Sequence, residues 1–346
     1  MKRLAFKILL YPFSLLYAGV MSLRNWMFDR EILRATAFPV PVISVGNITV
    51  GGTGKTPFVI TLTQLLMQNG HRVGVLSRGY GRKSKTQEIV APTERSSMNP
   101  DFSGDEPLLI ARKCPGAVVI VDADRVKAAE TAVRRFSCSV LVADDAFQHR
   151  FLRRNLDIVL WDGFDAPQHS AVIPAGRLRE KMSGIRRASM LVLTKNNDVP
   201  ESSRKFFRKI APNVPQFVAP LTIRKVYRFD NQAEIDQLNL KDKTVLAFCG
   251  IGNPERFFQT IDSFHPRATI RRSFGDHFRY QSVTVAALLE QFEREQCDYL
   301  ITTEKDAVNL AAVSPKIPNL LILEIGLDIK DAAPEILSRI PTPKIV

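Results

Sequence analysis

An apolar stretch, Pro41-Val42-Ile43-Ser44-Val45, runs almost directly into Thr49-Val50-Gly51-Gly52-Thr53-Gly54-Lys55-Thr56, and the pair restricts the fold more than any other part of the chain. A buried-type strand that ends in a glycine-rich turn and reopens as a helix aims several backbone N–H groups at one point, where the positive end of the helix dipole also lies. Polyphosphate fits that geometry. Lys55 reaches β- and γ-phosphates there, and the Thr56 hydroxyl holds the magnesium ion that bridges them. Thr49, Val50, Gly51, Gly52, Thr53, Gly54, Lys55 and Thr56 are therefore the expected nucleotide-binding residues, with ATP and Mg2+ as ligands. The pattern ordinarily opens on glycine where this chain has Thr49, so the first turn has to form around a β-branched residue.

Around this motif apolar runs alternate with helical patterns. Strands are expected at 42–45, 73–76, 117–121, 140–143, 158–161 and 190–193, and helices at 55–68, 105–113 and 124–135. Such alternation marks a mostly parallel sheet with helices on both faces, so the expected fold is α/β of the P-loop NTPase kind. A chain of 346 residues has room for a main domain of about 200 residues and a smaller one. An alternating run at 221–229 and a polar stretch at 230–242 suggest the division. Residues 36–220 are expected to form the nucleotide-binding domain, 221–243 a hinge or linker, and 244–346 a smaller α/β domain that closes on the active site. That second unit has strand patterns at 245–248, 299–302 and 320–323 and helical ones at 254–264 and 282–295.

Lys and Arg number 48 against 35 Asp and Glu, a formal charge of +13, which points to an anionic partner. Nucleic acid is not expected, because the basic residues are not interleaved with the aromatic side chains that stack on bases. Cys114, Cys138, Cys249 and Cys297 are dispersed without a Cys-x-x-Cys pair, which argues against both a zinc knuckle and a disulfide framework. Reduced thiols and a triphosphate ligand together place the catalytic body in the cytoplasm. No feature fixes an oligomeric state.

The first 35 residues depart from this pattern. Residues 8–23 are apolar or small, with Lys2, Arg3 and Lys7 before them and Arg24, Arg30 and Arg34 after. A run of that length falls short of the about 20 residues that cross a bilayer core, and Pro12 sits near its start. The expectation is a membrane-associated helix within 1–35, lying in the interface with its cationic flanks on anionic headgroups and Tyr11, Tyr17 and Trp26 at the boundary. A cleaved signal peptide and a helix buried in the core or in a dimer contact are the competing readings; no small-x-small site supports the first.

Asp144 and Asp145 follow the apolar run 140–143 and so stand at the carboxyl end of a strand, where ligands of open α/β sheets bind. A carboxylate there positions magnesium, which makes Thr56, Asp144 and Asp145 the expected metal ligands. The chain continues Ala146-Phe147-Gln148-His149-Arg150, whose polar groups would face the same crevice.

Seven blocks together resemble one family. Val45-Gly46-Asn47 with Thr53-Gly54-Lys55-Thr56-Pro57, then Ser77-Arg78-Gly79-Tyr80-Gly81, Gly104-Asp105-Glu106-Pro107, Asp144-Asp145-Ala146-Phe147-Gln148-His149, Pro174-Ala175-Gly176-Arg177-Leu178-Arg179-Glu180, Asp276-His277 and Thr303-Glu304-Lys305-Asp306-Ala307-Val308 are similar, in order, to the tetraacyldisaccharide 4′-kinases. The similarity runs from the amino-terminal helix to about Leu310. It implies transfer of the γ-phosphate of ATP to the 4′-hydroxyl of a tetraacylated, 1-phosphorylated glucosamine disaccharide, giving a lipid A precursor, on the cytoplasmic face of a Gram-negative inner membrane. It also implies Asp105 as the base and His277 as the partner that orients it, with Lys55 completing the catalytic set. A sugar hydroxyl needs such a base before its proton can leave. Because the dyad spans two domains, closure would complete the site and exclude water. Arg78, Arg177 and Arg179 lie in loops beside glycines, and arginine grips phosphate through a planar fork. With Gln148 and His149 they are the expected substrate contacts, meeting the acceptor's 1-phosphate or the transferred group; Glu180 is expected to support them. Two residues depart from the family pattern: Ala146 stands where glycine is usual, and Asn309 where lysine is common.

The alternative is a membrane-associated P-loop GTPase or ATPase switch with no phosphoryl acceptor. A convincing Asn-Lys-x-Asp is missing for the GTPase, and no His/Cys cluster supports a metallochaperone. Thr303-Glu304-Lys305-Asp306 resembles a guanine-reading loop only superficially, and Gly250-Ile251-Gly252 lacks the third glycine of a dinucleotide turn, since Glu255 stands there.

Overall fold

The computed structural model describes residues 2–90, 100–314 and 316–341. In chain order the elements are α1 (Lys2–Asp29), β1 (Val42–Asn47), α2 (Lys55–Gln68), β2 (Val73–Ser77), β3 (Glu88–Val90), α3 (Pro100–Ser103), α4 (Asp105–Lys113), β4 (Val118–Val121), α5 (Arg125–Arg134), β5 (Val140–Asp144), β6 (Leu156–Asp162), β7 (Met190–Thr194), α6 (Glu201–Ile210), β8 (Gln216–Ala219), β9 (Leu221–Arg228), β10 (Glu234–Ile235), β11 (Thr244–Cys249), α7 (Pro254–Asp262), β12 (Ala268–Ser273), α8 (Ser282–Arg294), β13 (Tyr299–Thr303), α9 (Glu304–Val313), β14 (Leu320–Leu327) and α10 (Ala333–Ser338).

β1 is buried along its whole length because the sheet is covered on both sides. Ile43 and Val45 pack on one face with Phe58 and Leu62 of α2 and Leu108 of α4. Val42 packs on the other with Ala128, Ala129 and Ala132 of α5. The eight strands run in the order β3-β4-β2-β5-β1-β6-β7-β8. All pairs are parallel except β3 with β4. The expected α/β fold is thus present.

A second sheet of six strands has the order β10-β9-β14-β13-β11-β12. Leu246 and Phe248 pack with α8 and α9 on one face, and Val245 and Ala247 with Phe257 and Phe258 of α7 on the other. The segment expected as a linker, 221–243, supplies two strands of this sheet: β9 is antiparallel to β14 on one side and to β10 on the other. Its exposed and half-buried residues imitate a solvent-facing strand, but Val226 and Tyr227 are buried. The chain's end also crosses back. Leu327, Ile329, Ala332, Ile336 and Ile340 join the core beneath α2 and α4 of the first sheet.

α1 is a single helix that carries Pro12 inside it. Ser14, Ala18 and Phe28 are buried against the body, while Leu9, Phe13, Leu15, Leu16, Val20 and Leu23 are each more than half exposed. No helix among the described residues is long and apolar enough to cross a membrane. The side chains of Lys2, Arg3 and Lys7, the expected first cationic flank, lie outside the described residues.

Candidate active site

Parallel strands end on one edge, so the residues after β2, β5, β1, β6 and β7 meet there without any further device. The register sets the central pair: Val45 of β1 lies opposite Asp144 of β5, which puts Asp144 and Asp145 beside the start of the glycine-rich turn. Gly46 permits the close approach, since a Cβ on it would stand 2.7 Å from Phe147 Cβ.

The turn is held from several directions. Thr49 is in an antiparallel bridge with Leu178, which is why a β-branched residue serves where glycine is usual. The Val50 N–H donates to Arg177 O at 2.7 Å and Asn47 Nδ2 to Thr53 Oγ1 at 3.0 Å. Thr194 Oγ1 donates to Thr53 O at 2.8 Å, and Lys195 Nζ donates to Gly52 O. Gly54, at φ 83°, turns the chain into α2, whose first N–H groups meet no capping side chain. An uncapped helix start leaves its donors for an anion.

Lys55 Nζ lies 3.7 Å from Asp145 Oδ1, and Arg179 Nη1 is 2.8 Å from the same oxygen. Burial pushes the Asp145 carboxyl up, but the Lys55 and Arg179 charges outweigh it and hold it below the usual range. Asp144 differs. Burial, then Glu106 and Asp145 beside it, push it up to about 7 against the pull of Lys55 and Arg125. Its Oδ2 accepts from Ser77 Oγ at 3.3 Å, whereas its Oδ1 is buried without a hydrogen-bond partner. A buried carboxylate short of positive charge is what a hard cation stabilises. No group of three or more His, Cys, Asp or Glu side chains converges among the described residues. Asp144 and Asp145 are adjacent at the end of β5 and Thr56 is the second residue of α2, and hydroxyl and carboxylate oxygens are the donor chemistry of a hard cation that takes its remaining ligands from phosphate and water.

The second sheet faces this edge with the carboxyl ends of its own parallel strands. His277, in the loop after β12, places Nδ1 3.4 Å from Asp105 Oδ2 at the start of α4. The same loop brings Arg279 Nη1 within 2.8 Å of Asp105 Oδ1. Burial pushes the Asp105 carboxyl up, but hydrogen bonds from His277 and Asn309 and the Arg279 charge prevail, and it lies below the ordinary carboxylate range. His277 Nε2 is 3.3 Å from Lys305 Nζ. An ammonium can only donate, so Nε2 accepts and the imidazole proton is on Nδ1, facing Asp105. Asp145 at φ 49°, Lys195 at φ 71° and His277 at φ 58° have left-handed backbone, a strain that gathers at working sites.

The loop after β11 links the neighbour of His277 to the glycine-rich turn. A Cβ on Gly252 would stand 3.3 Å from Asp276 Oδ2 and 4.0 Å from the Gly52 N. Asp162, at the end of β6, bridges the sheets, accepting from Arg256 of α7 at 3.0 Å and from Lys195 at 3.0 Å. α4 is tied at its far end too, where Lys113 pairs with Glu304 and Glu324.

The expected substrate residues divide. Arg177 and Arg179 lie on the nucleotide side: Arg177 Nη2 donates to Val50 O at 3.0 Å, and Arg177 pairs with Asp165 at 3.3 Å. Arg78 is exposed at the end of β2. Gln148 is occupied, with Nε2 donating to Asn47 O at 2.9 Å and to Glu180 Oε1 at 3.0 Å. His149 keeps Nε2 unpartnered, and burial followed by the Arg125 charge pushes it down to about 4, so it is a neutral ring at pH 7. Glu180, almost fully buried, also accepts from Asn25 of α1 at 3.0 Å and from Arg187 at 2.8 Å. Ala146 is buried, and its backbone is not left-handed, so the departure from glycine carries no strain there. Asn309 sits beside Arg279. Lys195, Asp162, Arg256 and Arg279 were not expected. Lys195 alone left a local trace, a Thr-Lys pair just after an apolar strand.

Comparison with known proteins identifies the family. A family model described as Tetraacyldisaccharide-1-P 4′-kinase matches residues 6–341. The tetraacyldisaccharide 4′-kinase of Chlorobaculum parvum is 34% identical over 335 residues, covering 95% of this chain and 91% of that protein. The one from Syntrophus aciditrophicus is 36% identical over 340 residues, with 95% and 91% covered. A crystal structure of LpxK from Aquifex aeolicus in complex with ATP superimposes with a TM-score of 0.76 at 32% identity, covering 99% of this chain and 100% of that one. The chain belongs to the tetraacyldisaccharide-1-phosphate 4′-kinase family.

Proposed function

We propose that this protein transfers the γ-phosphate of ATP to the 4′-hydroxyl of a tetraacyldisaccharide 1-phosphate, with Asp105 accepting the hydroxyl proton. The observation that carries the reading is the 3.4 Å contact of His277 with Asp105, next to the point where Gly252 stands between Asp276 and the Gly52 N of the glycine-rich turn. Asp105 is ionised at neutral pH and so can take a proton. His277, its Nε2 capped by Lys305, fixes the direction of that carboxylate and is not itself the base. Lys55, Arg177 and Arg179 lie where charge on the transferred group is neutralised. Thr56, Asp144 and Asp145 would hold Mg2+, which would screen the β- and γ-phosphates of bound nucleotide. Arg78 and the neutral His149 are left to meet the acceptor.

The acceptor is a lipid, and α1 answers to that. Arg24 donates to Gln148 O at 3.0 Å and Arg150 to Asn25 O at 2.9 Å, so the helix is fastened to the very loop that follows Asp145. Its exposed apolar row would lie in the interface of the anionic inner-membrane leaflet, presenting the site to a sugar that stays rooted in lipid. Replacing Leu9, Leu16 and Val20 by aspartate leaves the buried Ser14, Ala18 and Phe28 in place. It is expected to weaken binding to anionic vesicles at least about a hundredfold, at roughly 1.5 kcal/mol or more per large apolar side chain. Co-sedimentation measures this, and unchanged binding removes the helix from the membrane-docking role.

The chemistry is tested by incubating the full chain with γ-labelled ATP, Mg2+ and the detergent-dispersed disaccharide 1-phosphate. Label on the sugar, dependent on the lipid, is the expected result. Label released as free phosphate at a rate indifferent to lipid identifies the switch reading instead.

A further inference from the structure

Asp105 has two cross-sheet neighbours, and the family resemblance assigns a role to only one of them. Arg279 follows His277 by two residues, and the two side chains reach the two oxygens of one carboxylate: Nδ1 of His277 is 3.4 Å from Oδ2, and Nη1 of Arg279 is 2.8 Å from Oδ1. The guanidinium is itself anchored. Nη1 donates to Asn309 Oδ1 of α9 at 2.7 Å and Nη2 to Pro100 O of α3 at 3.3 Å. Asn309 also helps to hold the Asp105 carboxyl down.

We infer that Arg279, braced by Asn309, is a positioning residue for the phosphoryl transfer: it clamps the Asp105 carboxylate in the direction His277 requires, and only while the second sheet is docked. This rests on Asp105 being the base. Three features carry it. The Asp105 side chain is 1% exposed, and a buried carboxylate without a cation is costly. Nη1 of Arg279 stands against Oδ1 while Nδ1 of His277 stands against Oδ2, so each oxygen has its own neighbour and the carboxylate is held at both ends. And the cation and its Asn309 brace come from the second sheet, whereas Asp105 and Pro100 belong to the first, so the clamp exists only in the closed arrangement. Asn309 explains itself here too. A lysine at that position would direct its ammonium at the same carboxylate; in this chain an arginine thirty residues earlier brings the charge and the asparagine holds it.

The charged groups around Asp105 are few. His277 and Arg279 face it from the loop after β12, with Lys305 of α9 and Asp276 behind His277. Glu106, next to it on α4, acts on Asp144 instead. The acid limb of the kcat profile therefore reports the Asp105 carboxyl. In Arg279→Ala that limb is expected to move up by about one pH unit, with kcat at neutral pH down about tenfold and ATP affinity unchanged. Arg279→Lys should recover part of the loss, and Asn309→Lys combined with Arg279→Ala should bring the limb back, since each returns a cation to Asp105. A residue that only helped dock the second sheet would lower kcat equally at every pH and leave the limb in place. That outcome, or failure of both lysine variants to restore the limb, overturns the inference. If Asp105→Asn remains active, the base assignment itself has failed, which the Arg279 series distinguishes because those variants retain Asp105.

Discussion

Asp105→Asn is expected to lower kcat for phosphoryl transfer about a thousandfold while ATP binds as before. The amide is the same size as the carboxylate, so the packing at the start of α4 survives, and what is lost is the atom that can take a proton. ATP affinity is insulated because the groups that would grip the nucleotide, the glycine-rich turn with Lys55, Arg177 and Arg179, hang from β1 and from the loop before β7. The effect should be confined to turnover, since the base acts on a hydroxyl that is already bound. Single-turnover transfer to the lipid, paired with calorimetric ATP binding, separates the two. A variant within about tenfold of the parent would mean that the proton leaves by another route, through solvent or the phosphoryl oxygens.

The sequence made local chemistry legible and left distant partnerships hidden, for a physical reason. A strand, a glycine turn and a helix start are contiguous, so the phosphate cradle could be read from 49 to 56, and Asp144 and Asp145 from the apolar run before them. Their adjacency follows from parallel strands sharing an edge. Arg279, Asp162 and Arg256 act by pairing across a gap between sheets, and nothing about a single arginine after a histidine shows which carboxylate it will meet. The 221–243 segment misled for a related reason. Its alternation is that of a strand with one wet face, and only the return of β14 shows that the strand is paired on both sides. β12 was missed because Arg271, Arg272 and Ser273 are exposed on a sheet edge. α9 starts directly from β13 with no intervening loop, Thr303 ending the strand and capping the helix through Asp306 N.

The role of Asp105 leaves open what neutralises the phosphate as it moves, and Lys55 gives the sharper test. Its side chain is 14% exposed and its ammonium lies 3.7 Å from Asp145, where bound phosphate would compete with the carboxylate for it. Lys55→Met keeps the length and apolar stem but removes the charge, and it is expected to reduce kcat/KM about a thousandfold, the scale at which one preorganised cation stabilises developing phosphate charge. Lys55→Arg should not restore it. A guanidinium is planar, wider and forked, and in this site it would meet Arg179, whose Nη1 already donates to both oxygens of Asp145. The arginine variant thus separates positive charge in general from a point charge at one location. If Lys55→Arg retains most of the activity, the site needs only net charge. If Lys55→Met does, the turn binds phosphate through its backbone alone and the lysine serves to hold Asp145.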